Sequence, residues 1–238
     1  MADLAESLGA IRKRIRAAAA RGGRKAEEIT LVAASKGVGI EKIRRAMEEG
    51  VAVFGENKVQ EAEAKFPAAE LSKERSDSPG DGAATRGRAI SLHLIGALQT
   101  NKVKRAVGFF DLIHSVDSLR LAEKIEQEAE KKGIRQPILV EVNVGGETSK
   151  RGAPMKEAPF LVEAIRKLRR LDLQGLMTLP PPTPDPEGAR PYFSTLRKLG
   201  GELGLSRFSM GMSGDFEVAI EEGATWVRIG TAIFGPRG

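Results

Sequence analysis

Eight short apolar runs alternate with amphipathic stretches along this chain, and that rhythm limits its fold more than any other feature. The runs are ITLVAASK (29–36), VAVFGEN (51–57), SLHLIG (91–96), FDLIHSVD (110–117), PILVEVNV (137–144), LDLQGLMTLP (171–180), RFSMGM (207–212) and WVRIGTAIF (226–234). Several lack a polar alternation, as parallel strands covered on both faces do. Helical patterns fall between them. IEKIRRAMEEG sets Ile40, Ile43 and Met47 on one face and stops at Gly50. NKVQEAEAKF does the same with Val59, Ala62 and Phe66. DSLRLAEKIEQEAEKKG starts at Asp117 or Ser118 and ends at Gly133, and PFLVEAIRKLRRL starts at Pro159, a residue suited to a first helical turn. Residues 187–203 and 214–222 supply two more.

Eight such units in 238 residues predict an α/β fold, a single (β/α)8 TIM barrel, for which about 250 residues is typical. An open doubly wound sheet is the rival, but no glycine fingerprint opens a helix after the first strand. Leu4, Leu8, Ile11 and Ile15 predict an extra N-terminal amphipathic helix. The expectation is one domain over 1–238. The polar, Gly- and Ser-rich stretch 72–88 reads as an exposed, disorder-prone loop, and LPPPTPDPEGARP (179–191) as a stiff connection.

Composition removes several functions. The chain has no cysteine, so thiolate nucleophiles, disulfides and cysteine-ligated metals are excluded. Its two histidines, His93 and His114, are far apart in sequence and in no ligand spacing, which argues against zinc. The net charge of +6 comes from basic residues scattered through mixed-sign helices, with one Tyr and one Trp, so nucleic-acid binding is not expected. The apolar runs are too short to span a bilayer, and the N-terminus lacks a secretory pattern, so no membrane partner and a cytoplasmic location are expected.

In a barrel of this type, chemistry gathers where the strands end. The first run ends at Lys36, the second at Asn57, the seventh in SMGMSGD and the eighth in RIGTAIFG. Loops after strands seven and eight commonly bind phosphate. Gly211 and Gly214 let backbone approach a ligand, Ser213 offers a hydroxyl and a helix N-cap, and Gly230 and Thr231 add an amide and a hydroxyl. Asp215 complicates this, because its charge repels phosphate unless it points away. A lysine opposite such a cup can pair with an anion or bond an aldehyde. At neutral pH only about one free lysine in 2,500 is unprotonated, and lowering its pKa by about three costs about 4 kcal/mol. Desolvation at the tip of an apolar strand, helped by a cation such as Arg228, supplies that. Pyridoxal 5'-phosphate carries both an aldehyde and a phosphate, and Arg228 either faces its ring nitrogen or is an ordinary rim arginine.

HLIGALQTNKVK (93–104), EVNVGGETSKRG (141–152), GLMTLPP (175–181) and SMGMSGDFEVAIEEGATWVRIGTAIFG (209–235), with ASK and FGENKVQEA, resemble the YggS/PROSC family of pyridoxal-phosphate homeostasis proteins. The likeness covers most of the chain apart from the first helix, the 72–88 loop and the proline-rich segment. It implies a barrel like the N-terminal domain of alanine racemase, with Lys36 carrying the cofactor as a Schiff base. It further implies that Ser213, Gly230 and Thr231 hold the phosphate, that Arg228 approaches the pyridine nitrogen, and that Asn57, His93 and Met210 line the pocket. Gly39, Leu92 and a longer 72–88 loop depart from the family pattern, none of them at the lysine or the phosphate motif.

The implied function is cofactor homeostasis, by buffering or delivery, without robust catalysis. The implied partners are the cofactor and apo-enzymes that need it, and the chain is expected as a monomer or weak homodimer. A pyridoxal-phosphate-dependent amino-acid racemase is the alternative, and a barrel enzyme acting on a phosphorylated metabolite is a second. Racemisation needs a base on each face of the bound cofactor. The racemases of this resemblance take the second base from a tyrosine of another domain, whereas the tyrosine here, Tyr192, follows the proline-rich segment. His93 is another candidate for that base.

Overall fold

The computed structural model describes residues 3–66, 90–147 and 150–236, so the expectation for the 72–88 loop lies outside the described residues. The described residues form nine strands: β1 (Thr30–Ala34), β2 (Val53–Glu56), β3 (Ser91–Leu94), β4 (Leu112–Val116), β5 (Gln136–Asn143), β6 (Ala153–Pro154), β7 (Leu171–Met177), β8 (Phe208–Ser209) and β9 (Trp226–Ile229). All pair in parallel. Their order is β4-β3-β2-β1-β9-β8-β7-β5, and the β4–β5 pairing closes the ring. Two-residue β6 adds to β5 outside it. Closure excludes the open doubly wound sheet, which would leave two edge strands. The eight staves of the barrel are the eight runs of the sequence.

The period-of-two alternation of a strand sorts each stave into an outer and an inner face. Ile113 on β4, Val140 on β5 and Val227 on β9 face outward and belong to the main core under the helices. Their neighbours Leu112, Leu139 and Trp226 join Val32, Val53 and Met177 in a separate buried cluster inside the barrel. Each such side chain contributes about 1.5–3 kcal/mol when fully buried. Two residues further along the same staves the interior turns polar, with His114, Glu141 and Arg228 all buried.

The helices follow the sequence pattern closely. Helix α1 (Leu4–Arg21) is capped by Asp3, whose side chain accepts from the Leu4 N–H, and it buries Leu8, Ile11 and Ile15. It packs over the helix Phe216–Glu221 and the turn Thr231–Phe234, with Arg14–Glu217 and Arg21–Glu221 ion pairs at 2.7 and 2.6 Å along the seam. The extra helix therefore braces the two segments that follow the last staves. Helix α2 (Ile40–Glu48) ends just before Gly50, which takes a left-handed φ of +76°. Helix α3 (Val59–Lys65) buries Val59 and Ala62.

Two runs are shorter as strands than the sequence suggests. In RFSMGM only Phe208–Ser209 is strand; the Met210 N–H still donates to the Trp226 carbonyl and the Gly211 carbonyl accepts from the Arg228 N–H, and the chain turns at Gly211, with φ +91°. WVRIGTAIF stops as a strand at Ile229 and becomes a helical turn over Thr231–Phe234. Between them, Gly230 lies against β1 so closely that a Cβ would sit 3.0 Å from the Ala34 carbonyl oxygen. The chain is pinned there and turns.

Candidate functional site

Lys36 stands two residues beyond the end of β1, half-buried. Asn57 directly follows β2. Across from Asn57, Gly96 leaves room for the passing chain, since a Cβ there would come within 2.5 Å of the Asn57 carbonyl oxygen. These residues open onto a cavity of about 330 Å³ at the carboxyl ends of the staves, lined by Lys36, Asn57, Ser213, Gly214, Arg228, Gly230 and Thr231. Ile95, Leu179 and Phe234 give it apolar walls. The size falls within the range of small-molecule sites, roughly 300–1,000 Å³.

The opposite side of the cavity is built from the segments after β8 and β9. Ser213 does not cap the helix that follows it. That helix, Phe216–Glu221, has Asp215 at its N-cap, and the Ser213 hydroxyl instead lies 3.4 Å from the Ala232 N–H, in the turn after Gly230. Ser213, Gly230 and Thr231 thus form one cup from two loops. The Asp215 carboxylate accepts from the Met212 N–H at 2.6 Å, within its own turn, and is not among the lining residues. The charge that conflicts with phosphate in the sequence is turned aside in the fold.

Arg228 is a cavity wall and not a rim residue, at 5% exposure. It donates to the Ser209 hydroxyl and, at 2.9 Å, to the Thr178 carbonyl oxygen. Burial lowers its pKa to about 10, with Glu141 and Asp215 pulling the other way, so it keeps its charge at neutral pH. Glu141 is itself pushed up to about 7, first by burial and then by Asp117, against the opposing pull of Arg228 and Arg151. Beneath Arg228 runs a line of hydrogen bonds: Ser209 Oγ to His114 Nδ1 at 2.8 Å, His114 Nε2 to His93 Nδ1 at 3.0 Å, and His93 Nε2 to Ser91 Oγ at 3.1 Å. The two facing ring nitrogens share one proton, so both rings cannot be charged there. Burial lowers His93 to about 3, and burial, His93 and Arg228 hold His114 well below its ordinary value.

Six of the eight residues singled out in the sequence therefore meet in one cavity: Lys36, Asn57, Ser213, Arg228, Gly230 and Thr231. His93 and Met210 do not line it. His93 is spent in the interior line, and Met210, fully buried, packs in the main core. Tyr192 is half-buried on the helix Arg190–Glu202 and does not line the cavity either. His114, Glu141 and Ser209 were missed. The parity of their staves carried the signal, because each sits an even number of residues from an interior neighbour or on the lysine-bearing face. Among the described residues no cluster of three or more His, Cys, Asp or Glu could hold a metal, and no helix is long and apolar enough to cross a membrane.

The family pattern of the alanine racemase N-terminal domain matches residues 7–238. A pyridoxal phosphate homeostasis protein of Aquifex aeolicus is 44% identical over 238 residues, covering 98% of this chain and 97% of that one. PipY of Synechococcus elongatus PCC7942, solved with PLP bound, superimposes with a TM-score of 0.80 at 31% identity, over 98% of this chain and 100% of PipY. Alanine racemase of Clostridium difficile 630 shares the fold, with a TM-score of 0.70 at 16% identity over 98% of this chain and 56% of that one.

The buried histidine pair makes stability depend on pH. Both folded-state values lie below the ordinary 6.5. As pH falls below that value the unfolded chain binds protons that the folded chain refuses, so stability is full above it and declines on acidification. Each histidine contributes a slope approaching about 1.4 kcal/mol per pH unit. Urea unfolding between about pH 7 and about pH 5 should show this fall, with a shallower slope in His93→Gln. Equal slopes in the two proteins would contradict a neutral buried pair.

Proposed function

The chain belongs to the family of pyridoxal phosphate homeostasis proteins, built on the alanine racemase N-terminal domain, and on that footing we propose that it holds pyridoxal 5'-phosphate as a Schiff base on Lys36 and buffers or delivers it in the cytoplasm. The observation that carries this reading is the single cavity with Lys36 on one wall and Ser213, Gly230 and Thr231 on another. One ligand with an aldehyde and a phosphate joins both. The residues present fit it: Gly230 admits close backbone approach, Ser213 and Thr231 offer hydroxyls, and Asp215 is turned away. When bound, the cofactor supplies an aldehyde carbon that takes an amine. Lys36 would hold it there through its amine, with loss of one water, and hydrolysis or exchange with another amine would release it. Asn57 and Ile95 line the space between the two ends.

Arg228 would face the pyridine nitrogen as a charged donor, since its guanidinium keeps its proton at neutral pH. A cation there disfavours protonation of the ring and weakens it as an electron sink. Racemisation asks for a second base opposite Lys36. Neither Tyr192 nor His93 lines the cavity, and His93 is held neutral and hydrogen-bonded inside the barrel. Storage and delivery to apo-enzymes is the reading these placements support, in line with the relatives' names.

Borohydride reduction of the protein with bound cofactor should leave a covalent adduct that mass spectrometry places on Lys36, and Lys36→Ala should lose both the adduct and the visible absorbance. An unchanged yield in the mutant would refute the assignment. Ser213→Ala combined with Thr231→Ala should weaken pyridoxal phosphate by at least about tenfold, through lost bonds to a charged group, and pyridoxal much less. Equal losses for the two ligands would remove the phosphate cup. Incubated with alanine in deuterated water, the loaded protein should exchange no α-hydrogen at ordinary enzyme rates. Turnover at about 1 s⁻¹ or faster would make it a racemase-type enzyme instead.

A further inference from the structure

The peptide units on either side of Lys36 are both tied to one partly buried ion cluster. The carbonyl oxygen of Ser35, just before it, accepts from Lys65 Nζ at 2.6 Å. The N–H of Gly37, just after it, donates to Glu61 Oε1 at 2.5 Å. Lys65 Nζ also donates to that same Glu61 oxygen at 2.6 Å and to Glu56 Oε1 at 3.0 Å, and the Ser35 hydroxyl donates to Glu56 Oε1 at 2.7 Å. Glu61 and Lys65 lie one turn apart on α3, and Glu56 ends β2. Two elements thus converge on the backbone that carries one side chain.

The cluster is a poor investment in stability alone. Glu56 is fully buried, and among the described residues its second oxygen, Oε2, has no hydrogen-bond partner. A buried unsatisfied acceptor is destabilising, and well-packed apolar residues often stabilise as well as a buried ion pair. The ties have a clear geometric use. Gly37 takes a left-handed φ of +70°, so the chain leaves the stave there by a sharp bend. The Lys36 amine sits at the end of a four-carbon stem, so the backbone that bears it limits where the amine can reach. The phosphate cup is fixed separately, by residues 213–215 and 230–231. A ligand bonded at both ends therefore reads the span between the two anchors.

We propose that Lys65, with Glu56 and Glu61, is a clamp that positions the backbone of Lys36 so that its amine meets the aldehyde of a ligand already seated in the phosphate cup. The clamp presupposes that Lys36 bonds the cofactor. Its residues touch neither cofactor nor phosphate, so they are positioning residues.

Two ligands separate the clamp from a general structural role. Pyridoxal 5'-phosphate bonds Lys36 and fills the cup, whereas pyridoxine 5'-phosphate carries an alcohol in place of the aldehyde and uses the cup alone. Lys65→Met should weaken pyridoxal phosphate by about tenfold or more while leaving pyridoxine phosphate within about twofold, and Lys65→Arg should recover part of the loss. Glu61→Gln, which keeps the packing of α3, should show the same split in milder form, with faster amide hydrogen exchange at Gly37 in the ligand-free protein. Equal weakening of both ligands, or no weakening of either, in Glu61→Gln and in any Lys65 variant that folds, would overturn the clamp. A wild-type protein that bound both ligands equally and gave no reduced adduct on Lys36 would instead overturn the Schiff base itself, and the clamp with it.

Discussion

Hydrogen bonding of β1 to β9 on one side, and of β4 to β5 on the other, turns eight short strands into a ring. Everything functional in this molecule depends on that closure. A closed parallel ring leaves no edge, covers both faces of every stave, and brings all the carboxyl ends to one rim. The register at the seam sets Val32 opposite Arg228 and Ala33 opposite Ile229. Lys36 and Gly230, which follow these pairs, thereby reach the same cavity from opposite ends of the chain. In an open sheet the first and last strands would be edges, and Lys36 would have no reason to meet Gly230 and Thr231.

Closure also creates a dry interior, and the barrel fills it in layers. Six apolar side chains occupy one buried cluster, and a polar layer of His93, His114, Ser209, Glu141 and Arg228 lies between it and the rim. A charged guanidinium is costly in such a place unless it is paired and hydrogen-bonded. Here Ser209 and the Thr178 carbonyl accept its donors, and two carboxyls counter its charge. The neutral histidine pair continues the hydrogen bonding inward without adding charge. The arrangement holds Arg228 at a fixed place in the cavity wall, which a solvated rim arginine could not maintain.

Outside the barrel, the packing serves the same rim. Helix α1 packs on the two segments that follow the last staves, while α3 is hydrogen-bonded to the turn that bears Lys36. The two walls of the cavity are thus supported by different elements.

The alternation of apolar runs and helices was enough to read the fold, because a buried parallel strand and a surface helix leave different periods in the sequence. Lys36, Asn57, Ser213, Gly230 and Thr231 were legible for a related reason: polar and small residues stand out where an apolar run stops. The side on which Asp215 points was not legible, since it depends on a bond to its own turn. Nor was the meeting of His93 with His114, 21 residues apart in the chain and 3.0 Å apart in space, nor the convergence of Glu56, Glu61 and Lys65 on the backbone around Lys36. The sequence by itself determined which elements form and which residues reach the rim, because those follow from local period and chain order. Only the tertiary structure decided which polar groups become partners, because hydrogen bonds form between neighbours in space, and in a closed barrel those neighbours come from different staves.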